Sequence, residues 1–183
     1  MEKLSKGFYV GGWAGGIGLG ILILVVGIAG VAAGSSAGEP PDAAVGLVLF
    51  AYLPILFAAV VMLVLVYKMW AAIQDGQVRA TPGKAVGFLF IPFFNLYWVF
   101  QVFPGFADDY NAYAARHSLN IPRVDRGIFL AYCILTLCAI VPFLGILCVL
   151  VNFVIAIMMI SRICDAVNAL ADAPRAPAAA AAG

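Results

Sequence analysis

Long apolar runs separated by short polar segments dominate the chain. Three of them occupy residues 8–33, 45–67 and 127–163. Each is at least as long as the roughly 20 residues that cross the hydrocarbon of a bilayer as a helix. Because backbone N–H and C=O groups cannot stay unpaired in lipid, the runs predict membrane-spanning α-helices and not strands.

The last of these runs is too long for a single span. As one helix at 1.5 Å per residue, residues 127–163 would extend about 55 Å. The sequence Val141-Pro142-Phe143-Leu144-Gly145 within it contains the proline and glycine typical of a turn. The run therefore predicts two antiparallel spans, at 127–141 and 146–163, which brings the number of predicted spans to four.

A further apolar stretch, at 85–104, has a different composition. Pro92, Asn95 and Gln101 interrupt it, and aromatic residues crowd it. Aromatic side chains with a polar edge favour the membrane–water interface. A broken segment can enter a membrane only where protein or water shields its backbone. The stretch therefore predicts a re-entrant or interfacial segment that packs against the bundle.

The residues that follow, 105–117, have the periodicity of a helix. One stripe of that helix contains Phe106, Tyr110, Tyr113 and His117. The segment predicts a short amphipathic helix lying on the membrane.

The predicted fold is all-α and integral to the membrane. It contains four transmembrane helices, a re-entrant or interfacial aromatic segment and a short amphipathic helix, all in a single domain at 1–170. The remaining residues, 171–183, are mostly Ala and Pro, which predicts a disordered tail.

Composition excludes several classes of protein. The 183 residues are 65% hydrophobic and 10% charged, whereas soluble domains carry about 25% charged residues. The formal net charge of +1 gives no overall field that would attract nucleic acid. We therefore expect the lipid bilayer to surround the chain, and no nucleic acid to bind it.

The basic residues predict the orientation. If the segment 85–104 returns to the side it entered, all ten Lys and Arg residues lie on one side, and the other side carries only Glu39 and Asp42 as charges. If the segment crosses, half of the basic residues are exported, against the positive-inside bias. We therefore expect both termini in the cytoplasm and a multi-pass protein of the plasma membrane.

The first span is rich in glycine. Gly12, Gly16 and Gly20 stand four residues apart on one helix face, and small residues at this spacing let two helix backbones approach closely in lipid. Two interpretations remain open. The face either forms a homodimer or packs against another span of the same chain.

Three amides lie nearest to membrane depth: Asn95, Gln101 and Asn152. Intramembrane polar groups are costly and often functional, so the three are candidates for a polar cavity. The alternative is that they form hydrogen bonds between helices.

Two short motifs, Asp108-Asp109-Tyr110-Asn111 and Asp165-Ala166-Val167-Asn168, follow similar proline-initiated apolar segments. They suggest a degenerate repeat, although the spacing differs by seven residues. Their carboxylates could bind a divalent cation through oxygen ligands, or simply end their helices in solvent.

The chain contains four cysteines and one histidine, His117, and none has the spacing of a metal site. A Ser–His–Asp arrangement is also not indicated, because Ser118 adjoins His117 on a predicted surface loop. The sequence thus predicts no catalytic residue, cofactor or metal, and offers no support for an enzyme.

The stretch from Met69 to Arg116 contains Thr81-Pro82-Gly83-Lys84 followed by the aromatic segment with Pro92-x-x-Asn95. This pattern resembles a recurrent signature of uncharacterised bacterial multi-pass membrane proteins. The resemblance implies a bacterial origin and a four-span domain. For a multi-pass protein of such an origin, we expect a location in the inner membrane. The resemblance implies no activity.

Two functions are compatible with these patterns. The first is a non-enzymatic scaffold or partner-binding subunit, which acts as a homo-oligomer or with another membrane protein through the glycine face or the aromatic segment. The alternative is a transporter of a small solute or lipid, with a path near Pro92–Asn95.

Overall fold

The computed structural model describes residues 2–37, 42–141 and 144–174. Their regular secondary structure is entirely helical, which confirms the predicted all-α class. The helices are α1 (Lys6–Ala37), α2 (Asp42–Phe50), α3 (Tyr52–Ala72), α4 (Pro82–Gly87), α5 (Phe94–Arg116), α6 (Arg126–Cys138) and α7 (Leu144–Asp172), with a 3₁₀ turn at Phe88–Phe90. The predicted turn at Pro142-Phe143 and most of the predicted tail, from Arg175 onward, fall outside the described residues.

Three segments are long and apolar enough to cross a membrane: Lys6–Ser35, Asp42–Ala72 and Gly145–Asp172. The helix α6 is also apolar but has only 13 residues, which is about 20 Å at 1.5 Å per residue. The hydrocarbon core of a bilayer is about 30 Å thick. By itself, α6 is therefore shorter than a typical span.

The chain divides into two compact units. The first is Ser5–Leu65, and the second combines the residues up to Leu4 with the chain from Val66 onward. In the first unit, the helix of the second apolar run is interrupted at Ala51, between the end of α2 and the start of α3. Pro54 explains this interruption, because a proline lacks an N–H group and its ring crowds the carbonyl group four residues earlier.

The core of the second unit is aromatic. The side chains of Trp70, Phe106, Tyr110 and Phe129 are fully buried there. The rings of Trp70 and Phe106 meet edge to face with centroids 6.1 Å apart. Since Trp70 lies in the last turn of α3, Phe106 on α5 and Phe129 on α6, this core connects three helices.

The helix α5 differs from its prediction. It runs without a break from Phe94 to Arg116 through Pro104, where the sequence predicted the end of one segment and the start of a separate helix at 105–117. Pro104 and Gly105 are buried, so packing holds the helix together across the missing N–H group. The predicted amphipathic stripe also lies partly inside the protein, because Phe106 and Tyr110 are fully buried.

Candidate functional site

The predicted re-entrant stretch forms a hairpin. Thr81 caps α4 by accepting a hydrogen bond from the Lys84 N–H group at 3.4 Å, and Pro82 occupies the first turn, a position that suits its fixed φ. After α4 and the 3₁₀ turn, the chain reverses and continues as α5. We refer to residues 82–98 as the aromatic hairpin.

The reversal is a tight turn centred on Phe93. The Phe94 N–H group donates to the Pro92 carbonyl oxygen at 2.7 Å, and Phe93 has φ 63° and ψ −43°. These values are close to the rare γ-turn with positive φ. For a residue other than glycine, such a conformation is strained by about 1–3 kcal/mol.

The backbone around this turn satisfies many of its own polar groups. Pro92 has no N–H group to satisfy. Three further N–H donors near the turn find carbonyl partners within it: Ile91 to Phe88 at 3.3 Å, Asn95 to Ile91 at 3.0 Å and Leu96 to Phe93 at 3.2 Å. These bonds lower the cost of placing the turn in an apolar medium.

Aromatic rings pack against one another inside the hairpin. The Phe88 ring meets the Trp98 ring edge to face at 4.9 Å, and the Phe94 ring stacks on Trp98 at 5.6 Å. The Trp98 Nε1–H group donates to the Ala85 carbonyl oxygen at 3.2 Å. The outer surface is apolar, since Phe93 is 88% exposed.

An ion pair joins the two segments that flank the hairpin. Arg79 precedes α4 and Asp109 lies on α5. The Arg79 backbone N–H and Nε–H groups donate to the Asp109 carboxylate at 2.9 and 3.0 Å, and its Nη2 lies 2.9 Å from Oδ1. Asp108 lies between Arg79, at 3.6 Å, and Arg126, at 3.7 Å. The segment that precedes the hairpin therefore lies against the part of α5 that follows it.

A second ion pair lies between the same two segments. The Arg116 guanidinium donates to Asp75 at 2.9 and 2.6 Å, and the Nε2 atom of His117 lies 3.5 Å from the same carboxylate. The Gln77 N–H group donates to the other oxygen at 2.9 Å. The hydrogen bond from Gln77 and the nearby Arg116 lower the pKa of Asp75, although partial desolvation opposes them.

These contacts bear on the proposed cation ligands. Asp108 and Asp109 already face arginines, which compete with a cation for the same oxygen atoms. Within the described parts of the chain, no three His, Cys, Asp or Glu side chains form a cluster able to hold a metal ion.

Two asparagines have matching roles. Asn111 donates to the Val124 carbonyl oxygen at 2.8 Å and accepts from the Val124 N–H group at 2.9 Å. Asn168 donates to the Leu4 carbonyl oxygen at 3.0 Å and accepts from the Leu4 N–H group at 2.7 Å. Val124 lies two positions before the first residue of α6, and Leu4 lies two positions before the first residue of α1. We call these two arrangements the asparagine clamps.

The candidate polar cavity residues lie on two helices. Asn95 and Gln101 are half-buried on α5. Asn152, on α7, donates to the Thr136 hydroxyl at 3.0 Å, and that hydroxyl donates to the Tyr132 carbonyl oxygen at 2.8 Å. Asn152 thus forms a hydrogen bond between helices.

A different polar cavity, which the sequence did not indicate, opens beside α6 and α7. It has a volume of about 180 Å³, and its lining includes Arg123 and Arg162. None of the three candidate amides lines it. In the sequence, both arginines stand next to or within apolar runs, which is the one feature that could have indicated the cavity. Their proximity to each other depends on the packing of the two helices.

The glycines of α1 form two sets. Gly12, Gly16 and Gly20 face α3 in the same unit. A Cβ atom at Gly16 would lie 2.6 Å from the Pro54 carbonyl oxygen and 2.9 Å from the Ala58 Cβ atom. A second stripe consists of Gly7, Gly11 and Gly15, and a Cβ atom added at any of these would meet nothing within 4 Å.

Comparisons with protein-family models, with curated proteins and with solved structures found no match to this chain.

Proposed function

We propose that the chain is a non-enzymatic, four-span membrane protein that self-associates as a scaffold. The observation that carries this proposal is the open stripe of Gly7, Gly11 and Gly15 on α1. The partner is a second copy of the chain, and the same stripe serves both copies, as in most symmetric dimers.

The two glycine sets of α1 support this assignment. Lipid supplies no hydrophobic force between helices, so close packing of small residues drives their association. The set of Gly12, Gly16 and Gly20 already packs within its own unit. The stripe of Gly7, Gly11 and Gly15 has the same four-residue spacing and open space in front of it. It is therefore the set available to another helix.

The pair of Arg79 and Asp109 supports the four-span arrangement. These residues stand on either side of the stretch 85–104, and their contact at 2.9 Å favours a segment that returns to the side it entered. All ten Lys and Arg residues then lie on the cytoplasmic side, in agreement with the positive-inside bias. In this arrangement α6 and the residues after it form the third span and α7 the fourth.

A transporter path through Asn95, Gln101 and Asn152 has less support. The Nδ2 group of Asn152 donates to Thr136, which is a structural use of a polar group between helices. The scaffold therefore remains the function that the geometry favours.

The proposal is tested by substituting leucine into the open stripe. Two differently labelled copies of the full chain are placed in one vesicle, and energy transfer between them is measured. Gly11→Leu and Gly15→Leu together should weaken association at least tenfold, because two side chains then separate the helices. Gly46→Leu is the matched control, since Gly46 is exposed on α2 and also has nothing within 4 Å of an added Cβ atom.

The opposite result is equally clear. If the Gly11→Leu, Gly15→Leu chain associates as strongly as the Gly46→Leu control, the open stripe is not the interface. Gly16→Leu shows what a folding defect looks like in the same assay. Its side chain would collide with the Pro54 carbonyl oxygen, so this variant should lose stability of the fold itself.

The four-span topology has its own test. A cysteine replaces Arg123 in a variant whose four native cysteines are changed to alanine or serine. We expect a membrane-impermeant thiol reagent to label it only from the cytoplasmic side. Labelling from the opposite side would overturn the topology and leave the self-association proposal unaffected.

A further inference from the structure

The cavity beside α6 and α7 has charged walls at one end of the helix pair. Arg123 and Asp125 precede or begin the turn into α6, Ile128 lies on α6, and Arg162 and Asp165 project from α7. At about 180 Å³, the cavity is much larger than the space that one water molecule requires.

The two arginines in this cavity differ from the other arginines between residues 42 and 141. Arg79, Arg116 and Arg126 each lie within 4 Å of an aspartate. Arg123 and Arg162 form no hydrogen bond or ion pair with another residue in the described part of the chain. Each guanidinium offers five N–H donors in a planar fork that matches the oxygen atoms of a phosphate.

Two aspartates, Asp125 and Asp165, line the cavity together with the two arginines. Asp125 accepts a hydrogen bond from the Gly127 N–H group at 2.9 Å, so one of its oxygens is occupied in capping α6. With Asp165, the cavity carries two positive and two negative groups. A neutral wall of this kind favours a ligand that itself carries both signs over a multiply charged free anion.

The depth of Arg162 in α7 indicates where such a ligand would come from. Arg162 lies 18 residues after Leu144, the first residue of α7, which is about 27 Å at 1.5 Å per residue. The hydrocarbon core is about 30 Å thick. Arg162 therefore stands at the level of the lipid headgroups when α7 crosses the bilayer.

We propose that this cavity binds the headgroup of a phospholipid, with Arg123 and Arg162 holding the phosphodiester. A zwitterionic headgroup fits best, because its ammonium group faces Asp125. Basic pockets at the cytoplasmic ends of membrane helices bind lipid headgroups by the same chemistry. The site lies on α6 and α7 and does not involve the glycine stripe of α1.

The test uses the purified full chain in a mild detergent, titrated with dihexanoyl phosphatidylethanolamine. A ligand that binds only the folded state raises the thermal midpoint with its concentration. We expect Arg123→Gln and Arg162→Gln each to weaken the apparent affinity about tenfold. Lys84→Gln removes one exposed positive charge elsewhere and should change the affinity less than twofold.

Three results would overturn the proposal. The first is that the arginine variants respond to the lipid as the wild type does. The second is that Lys84→Gln weakens binding as much as they do, which indicates a general charge effect. The third is that inorganic phosphate raises the midpoint as effectively as the lipid, which assigns the site to a free anion. Labelled-copy energy transfer is measured in parallel, so loss of lipid binding is distinguished from loss of self-association.

Discussion

Arg79 engages Asp109 through both its backbone N–H group and its guanidinium, at 2.9 to 3.0 Å. The Asp109 side chain is only 14% exposed, so Arg79 replaces much of the hydration that its charge has lost. We expect Arg79→Ala to lower the free energy of unfolding by about 1–2 kcal/mol, at the low end for hydrogen bonds to charged groups because Arg79 is partly solvated. Chemical denaturation in detergent measures the change.

Arg79→Lys refines this prediction. Lysine keeps the charge but lacks the planar guanidinium group. Arg79→Lys should therefore lower the free energy of unfolding by less than Arg79→Ala does. The exposed Lys84 serves as the control, and Lys84→Ala should change stability by less than about 0.5 kcal/mol. Equal effects of Arg79→Ala and Lys84→Ala would contradict a structural role for the pair.

Asp75 should make stability depend on pH in the acid range. Its pKa is lowered in the folded state by the Gln77 N–H group and by Arg116, whereas in the unfolded chain it has the ordinary value of about 3.9. The folded state therefore gains stability above that value and loses it as the pH falls toward the lowered pKa. Asp75→Asn should flatten this part of the profile.

The measurement is the thermal midpoint of the wild type and Asp75→Asn between about pH 6 and pH 2. Asp42→Asn removes an exposed carboxylate on α2 and provides the comparison. If both variants follow the wild-type profile in parallel, the Asp75 network does not contribute to the pH dependence.

The turn at Phe93 predicts opposite effects for two substitutions. Glycine adopts positive φ without steric cost, so Phe93→Gly should stabilise the fold in detergent by up to about 1 kcal/mol. A β-branched residue is particularly unfavourable at positive φ, so Phe93→Val should destabilise it by about 1–2 kcal/mol. Because the ring is 88% exposed, its removal changes little packing. Equal destabilisation by both substitutions would mean that the ring, and not the backbone, determines stability here.

The asparagine clamps should be energetically equivalent. Asn111→Ala and Asn168→Ala each remove two hydrogen bonds to a partly buried backbone, and each should cost about 1–3 kcal/mol. Asn168→Asp keeps the acceptor for the Leu4 N–H group but loses the donor, so its effect should be smaller. Asn120→Ala, in an exposed loop, should have almost no effect. If Asn111→Ala or Asn168→Ala changes stability no more than Asn120→Ala does, that clamp does not contribute to the stability of the fold.

Local pattern was sufficient for much of the fold. Apolar runs of more than 20 residues predicted the long helices, and the proline and amide residues between 85 and 104 marked a segment of a different kind. The continuity of α5 was not predictable from local sequence. It depends on the burial of Pro104 and on Arg79, whose Nη1 would lie 2.8 Å from a Cβ atom at Gly105, a contact between distant positions.

The repeated Asp…Asn motif illustrates the same limit. Asn111 lies 17 residues after Phe94, the first residue of α5, and Asn168 lies 24 after Leu144, the first of α7. The difference of seven residues is nearly two helical turns at 3.6 residues per turn, so both asparagines keep the same face. Their roles could not be predicted, because Asn168 binds a residue 164 positions away.

The clamp between Asn168 and Leu4 also constrains the order of biogenesis. Leu4 leaves the ribosome long before Asn168, so the segment ahead of α1 cannot be fastened until α7 has been translated and inserted. A nascent chain arrested before α7 keeps that segment exposed to proteases. Formation of the hydrogen bonds between Asn168 and Leu4 therefore distinguishes a fully translated chain from one that is arrested before α7.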